Sequence, residues 1–250
     1  MLNKRIIPVL LLEDKSLIKT INFKNKIYIG DPLNTLKIFN EKFVDELIIL
    51  DIKQNKLQSD LDFNFLGDLF SECFSPVTYG GGITNTHEAD KILKLGAEKI
   101  CLNTAVIKDK KIIKDFATNF GSQSIVVSVD VKKNFFNEYL IYNNQENKFE
   151  KKIKLDEYLH QLQDLGAGEI LINSIDKDGN MKGMDLNLIN KTKDIVKIPV
   201  IYCGGIGKFD DIKIAFQNDI AGVAGGSFFV FYGPKKAVLI SYPSEEIRYL

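Results

Sequence analysis

The chain is poor in the residues that most often build metal centres and covalent cross-links. In 250 residues it has three cysteines, two histidines and no tryptophan. Cys73, Cys101 and Cys203 stand alone with no CxxC pair, so neither a metal site nor a disulfide framework is expected, and no cofactor is called for. A reducing, cytoplasmic setting is the expectation. No charge is in excess either, since Lys plus Arg and Asp plus Glu number 33 each. That balance offers no broad field to nucleic acid or to an anionic membrane, so any anion must be bound locally. Arginine is scarce: only Arg5 and Arg248 occur, and the other basic residues are lysines. Long apolar runs are missing as well. The least charged stretch, 220–232, falls short of the roughly 20 residues of a membrane-spanning helix. The run 6–12 follows Lys4 and Arg5 but meets Glu13, Asp14 and Lys15 at once, so no signal leader is expected.

What the chain does have is alternation. Short apolar runs at 5–12, 46–52, 76–79, 99–102, 124–131, 169–174, 199–202 and 221–225 lack strict in/out patterning, as strands buried on both faces do. Helical signals lie between them. Asp31-Pro32 is an N-cap and N1 pair ahead of Leu36, Phe39 and Phe43, and Leu95-Gly96 and Leu165-Gly166 each put a glycine at a helix end. Eight strands alternating with helices in 250 residues is the arithmetic of a single (β/α)8 TIM barrel. A doubly wound sheet would need a glycine-rich turn after the first strand, where Leu10-Leu11-Leu12-Glu13 stands instead.

The two halves repeat. Gly80-Gly81-Gly82-Ile83 ends the third strand and Gly204-Gly205-Ile206-Gly207 follows the seventh; Asn103-Thr104 and Gly226-Ser227 each lie 22 residues on from Gly81 and Gly204. The expected organisation is one domain, 1–250, of two related half-barrels, about 1–120 and 121–250. Glycines in this position also make tight turns, but two matched pairs favour phosphate cradles, because glycine lets an anion approach backbone N–H groups. Gly81, Gly82, Asn103 and Thr104 form one cradle, and Gly204, Gly205, Gly226 and Ser227 the other. Asp130, at the C-terminal end of the fifth strand, is the candidate general acid or base. Asp176 and Asp178 are weaker candidates in a turn whose Gly179 could also approach an anion. Aligning the halves puts Leu11 opposite Asp130, so the symmetry-related carboxylate is missing. At the opposite strand ends, Arg5, Glu46, Lys99 and Glu169 would cluster as a neutral ring at the barrel bottom.

These motifs, in order, resemble the cyclase subunit of imidazole glycerol phosphate synthase. The likeness rests on Lys4-Arg5-Ile6-Ile7, Asn22-Phe23, Gly30-Asp31-Pro32, Gly80-Gly81-Gly82-Ile83, Asn103-Thr104, Phe120-Gly121-Ser122-Gln123, Gly166-Ala167-Gly168-Glu169-Ile170 and Ser174-Ile175-Asp176. The resemblance implies a barrel that partners a separate glutaminase, takes its ammonia in at the bottom, and uses it at the top on a bisphosphorylated ribulosyl-aminoimidazole. It makes Arg5, Glu46, Lys99 and Glu169 the ammonia gate. It makes Gly82, Asn103, Thr104, Asp178, Gly179, Gly205 and Ser227 phosphate-binding positions, with Gly226 where the family often has alanine. Asp130 matches one catalytic aspartate and Leu11 replaces the other, which implies weak cyclase turnover. Lys19 is retained on the first loop, where Lys15 and Thr20 replace glycines.

The departures at 8–12, at Lys19-Thr20 and over 233–243 are similar to a paralogous branch associated with acetamidino sugars of surface polysaccharides. There the barrel is thought to pass ammonia to a third, sugar-binding amidotransferase. Three readings stay open: ammonia conduction to such an acceptor, ordinary histidine-pathway cyclisation with Glu13 or Asp14 in place of the lost carboxylate, and a barrel that binds a phosphorylated small molecule only to activate its glutaminase.

Overall fold

A computed structural model describes residues 4–52 and 61–243; Arg248 lies outside the described residues. In chain order the elements are β1 (Arg5–Glu13), β2 (Ser16–Ile21), β3 (Lys24–Gly30), α1 (Pro32–Glu41), β4 (Leu47–Asp51), α2 (Phe63–Ser71), β5 (Val77–Gly80), α3 (Thr86–Lys94), β6 (Lys99–Leu102), α4 (Thr104–Lys108), α5 (Lys111–Phe120) and β7 (Ile125–Lys133). The second half continues with β8 (Tyr139–Asn143), β9 (Lys148–Phe149), α6 (Leu155–Asp164), β10 (Glu169–Ser174), α7 (Leu186–Thr192), β11 (Val200–Cys203), α8 (Phe209–Phe216), β12 (Gly222–Gly225), α9 (Ser227–Val230), β13 (Phe231–Tyr232) and β14 (Ala237–Val238).

Strands β1, β4, β5, β6, β7, β10, β11 and β12 pair in parallel in that order, and β12 returns to β1, so the sheet closes into a (β/α)8 barrel. Closure leaves β1 and β7 on opposite walls. The strands are apolar on both faces because one face meets the helices and the other the lumen. Leu36 and Phe39 of α1 and Ile92 of α3 pack outside the barrel, while Ile7, Val9, Ile48, Val126, Leu171 and Ile201 form a separate cluster inside it. Capping follows the expected chemistry: Asp31 accepts from Asn34 N at 2.9 Å with Pro32 opening α1.

Two antiparallel excursions rise where the sequence reads as loop. β2 pairs with β1 and β3, so the segment carrying Lys19 is a hairpin. β7 runs two residues beyond Val131 and pairs with β8, so Lys132 and Lys133 continue a strand. The tail after β14 returns to the bottom of the barrel, where Tyr242 Oη donates to Ile6 O at 2.8 Å and accepts from Asp45 N at 3.1 Å. Among the described residues no helix is long and apolar enough to cross a membrane.

Candidate functional site

Every second residue of a barrel strand faces the lumen, so β1 points Arg5, Ile7, Val9 and Leu11 inward from bottom to mouth. At the bottom, Arg5 Nη1 donates to Glu46 Oε2 at 2.6 Å and Nη2 donates to Glu169 Oε1. Lys99 Nζ donates to the same two carboxylates, at 3.2 Å to Glu46 and 3.1 Å to Glu169. Thr78 Oγ1 donates to Glu46 at 2.8 Å. The two glutamates are only 2 % and 4 % exposed, which is tolerable because each faces two cations. Burial by itself would lower the Arg5 pKa, but the hydrogen bonds and charges of Glu169 and Glu46 outweigh it and hold the guanidinium above its ordinary value.

Above the ring, Ile7, Ile48, Val126 and Ile201 close a packed apolar layer. Above that layer a cavity of about 180 Å³ opens to the mouth, its floor made by Val9, Cys101, Ser128 and Leu171. The layer and floor present little to stabilise an ion, so a small neutral molecule meets the lower barrier there.

Asp130 lies in the cavity wall, fixed by two amides. Asn103 Nδ2 donates to Oδ2 at 2.8 Å and Asn173 Nδ2 to Oδ1 at 3.3 Å. Burial raises its pKa to about 6 against the pull of those two bonds, with the charge of Asp178 adding to the rise. Leu11 lines the same cavity, on β1 across the barrel from β7. Glu13, two residues on, is paired with Lys26 of the hairpin and does not reach the cavity lining. Burial pushes the Cys101 and Cys203 thiols up to about 12, which removes them as nucleophiles at neutral pH.

Lys19 leaves solvent. Its Nζ donates to Val9 O, and burial lowers its pKa to about 8 against the opposing charge of Asp178. A Cβ on Gly226 would overlap that ammonium, so glycine at 226 is what lets Lys19 fold in. The hairpin tip is tied to the turn after β10: Thr20 Oγ1 donates to Asp178 Oδ2 at 3.2 Å and Asn22 N to Asp178 O at 3.1 Å.

The glycine-rich positions divide. Gly81, Gly82, Asn103 and Thr104 border the large cavity, together with Lys19, Asp178 and Gly226. Gly179, Gly204, Gly205 and Ser227 instead border a recess of about 20 Å³, which meets the cavity at Asp178, Cys203 and Gly226.

A model described as "Histidine biosynthesis protein" matches residues 5–234. A Vibrio vulnificus protein named "Putative imidazole glycerol phosphate synthase subunit hisF3" is 47 % identical over 98 % of this chain and 94 % of its own length. The chain belongs to the HisF family. A Pseudomonas aeruginosa protein named "Putative imidazole glycerol phosphate synthase subunit hisF2" is 44 % identical, over 97 % of each chain. The Streptococcus mutans "Imidazole glycerol phosphate synthase subunit HisF" is 35 % identical over 93 % of this chain and 92 % of its own. Within this HisF-family barrel, Asn173 and the buried placement of Lys19 are the features sequence reasoning missed. Counting by twos from Glu169, through Leu171, finds Asn173 on the lumen face; nothing in the sequence indicates that Lys19 turns inward.

Proposed function

We propose that this HisF-family barrel takes ammonia from a separate glutaminase at its lower face and delivers it to an acceptor at the mouth. The acceptor reaction is the acetamidino modification of a surface-polysaccharide sugar, with a third, sugar-binding amidotransferase as the other partner, in the cytoplasm. The carrying observation is a complete Arg5–Glu46–Lys99–Glu169 ring in a chain with Leu11 where the resemblance puts a catalytic aspartate. One domain, 1–250, built from two half-barrels serves this role with intake at one end of its strands and delivery at the other.

The chemistry assigned to each end is simple. Ammonia leaves the lumen beside Asp130, whose carboxylate takes the proton that ammonia gives up as it adds to the acceptor carbon, while the group displaced from that carbon leaves with the electron pair of its own bond. Gly81, Gly82, Asn103 and Thr104 are assigned to an anionic group of the acceptor. Histidine-pathway cyclisation requires a second acid/base group opposite Asp130. Leu11 cannot transfer a proton, and Glu13 is engaged by Lys26.

The test is an assay of the purified chain with ammonia and the bisphosphorylated ribulosyl-aminoimidazole. Turnover reduced by about 10²–10⁴-fold relative to the Streptococcus mutans relative is expected, the usual worth of one acid/base group. Equal turnover would overturn the proposal in favour of the cyclase.

A further inference from the structure

Turns between strands are normally built from glycine, proline, asparagine, aspartate and serine. The turn that joins β7 to β8 instead carries Phe135 and Phe136 side by side, and its shape needs neither ring. Asn134 N donates to Glu138 O and Asn137 N donates to Asn134 O, both at 3.0 Å. Phe136 N and Glu138 N donate to Asn134 Oδ1 at 2.8 and 3.0 Å. Asn137 takes the left-handed position at φ +61°, which asparagine tolerates. The two rings stand in solvent, 97 % and 79 % exposed, edge to face with centroids 5.9 Å apart.

Their place in the fold gives them a use. β7 carries Asp130 to the mouth and continues into this hairpin, so the pair stands at the mouth end of the barrel. From the opposite wall the β2–β3 hairpin presents Tyr28, 65 % exposed. Charge gathers at the same end. Residues 13–30 and 132–154, the excursions from β1 and β7, hold ten lysines and five acidic residues in a chain that is neutral overall. Exposed aromatics inside a charged rim have the make-up of a protein interface, and a turn already fixed by its own hydrogen bonds lowers the ordering cost of binding.

We propose that Phe135 and Phe136 dock the ammonia-accepting protein at the mouth, their rings entering an apolar pocket whose border on that partner is acidic. The inference rests on the conduction reading, which requires a protein there: ammonia that meets bulk water is protonated at neutral pH and loses its nucleophilic lone pair, so the acceptor must close over the exit. A second copy of this chain would set two basic rims against each other. An anionic membrane fits less well, because Lys132 and Lys133 are folded back over Tyr142 and Tyr139, with Nζ 4.7 and 4.8 Å from the ring centroids.

Surface plasmon resonance of the whole barrel against a purified sugar-binding amidotransferase of the proposed complex tests it. Phe135→Ser with Phe136→Ser should weaken that complex by about thirtyfold or more, leaving the urea midpoint and the affinity for the glutaminase unchanged. Raising salt from about 0.05 to about 0.5 M should slow association of the unaltered chain. Equal affinity of the two forms would overturn the inference and leave the conduction reading standing. Absence of any complex would also overturn it, and the cyclase assay above then decides separately whether the conduction reading falls with it. Binding to phosphatidylserine-containing vesicles, or a dimer in sedimentation, that the double substitution abolishes would give the pair to a membrane or to a second copy, and either result would overturn the proposal.

Discussion

Arg5 and Lys99 bridge the same two carboxylates, so each charge of the ring depends on the others. Replacing one member strands its partners in a dry environment, which typically costs about 3–5 kcal/mol. Glu46→Leu, which also leaves Thr78 Oγ1 without its acceptor, should lose stability of that order in urea unfolding. Asp130 gives a pH signature. Its folded pKa of about 6 lies above its ordinary value of 3.8, so between those values the folded state binds more protons than the unfolded one. Stability therefore falls as pH rises from about 4 to 6, by at most about 3 kcal/mol at ~1.4 kcal/mol per pH unit. Asp130→Asn should reduce that slope in a series of unfolding curves, leaving the contribution of Asp178, whose carboxyl burial also holds above its ordinary range. An unchanged slope would place the proton elsewhere.

At the scale of elements, the strands were legible and the excursions were not. The eight barrel strands are apolar on both faces, and that pattern survives in the sequence. Asp31-Pro32 and the glycines at 96 and 166 mark helix ends for reasons of backbone chemistry alone. The β2–β3 hairpin leaves no such trace, because β3 is exposed at most of its positions and carries no period-two apolar signal. Its partner is remote in sequence, being the 176–180 turn. Gly179 adopts φ +66° against Thr20. Gly179→Ala adds a Cβ where backbone already lies, a change expected to cost more than about 1 kcal/mol. Faster amide exchange over residues 16–30, with the β4–β7 core unchanged, is the expected result. Uniform protection would mean the turn does not hold the hairpin.

Over the whole molecule, the features order themselves along one axis: charged ring, apolar layer, cavity, hairpin roof. The order suits a neutral nitrogen source moving upward, and the packed layer of Ile7, Ile48, Val126 and Ile201 means that passage requires small displacements of these side chains. Val126→Phe thickens that layer at a packing cost of about 1–3 kcal/mol. It should reduce glutamine-supported amidation while sparing amidation driven by external ammonia, the comparison that separates passage from chemistry. An equal loss with both nitrogen sources would assign the residue to folding alone.

Passage itself is measured most directly by isotope partition. The proposed complex, this barrel assembled with a glutaminase and a sugar-binding amidotransferase, is supplied with glutamine labelled with ¹⁵N in the amide, in the presence of excess unlabelled ammonium. Ammonia that travels inside the barrel cannot mix with the bulk, so the amidated product should keep the glutamine label at nearly full enrichment. Product diluted to the isotopic composition of the surrounding ammonium would contradict conduction through the barrel.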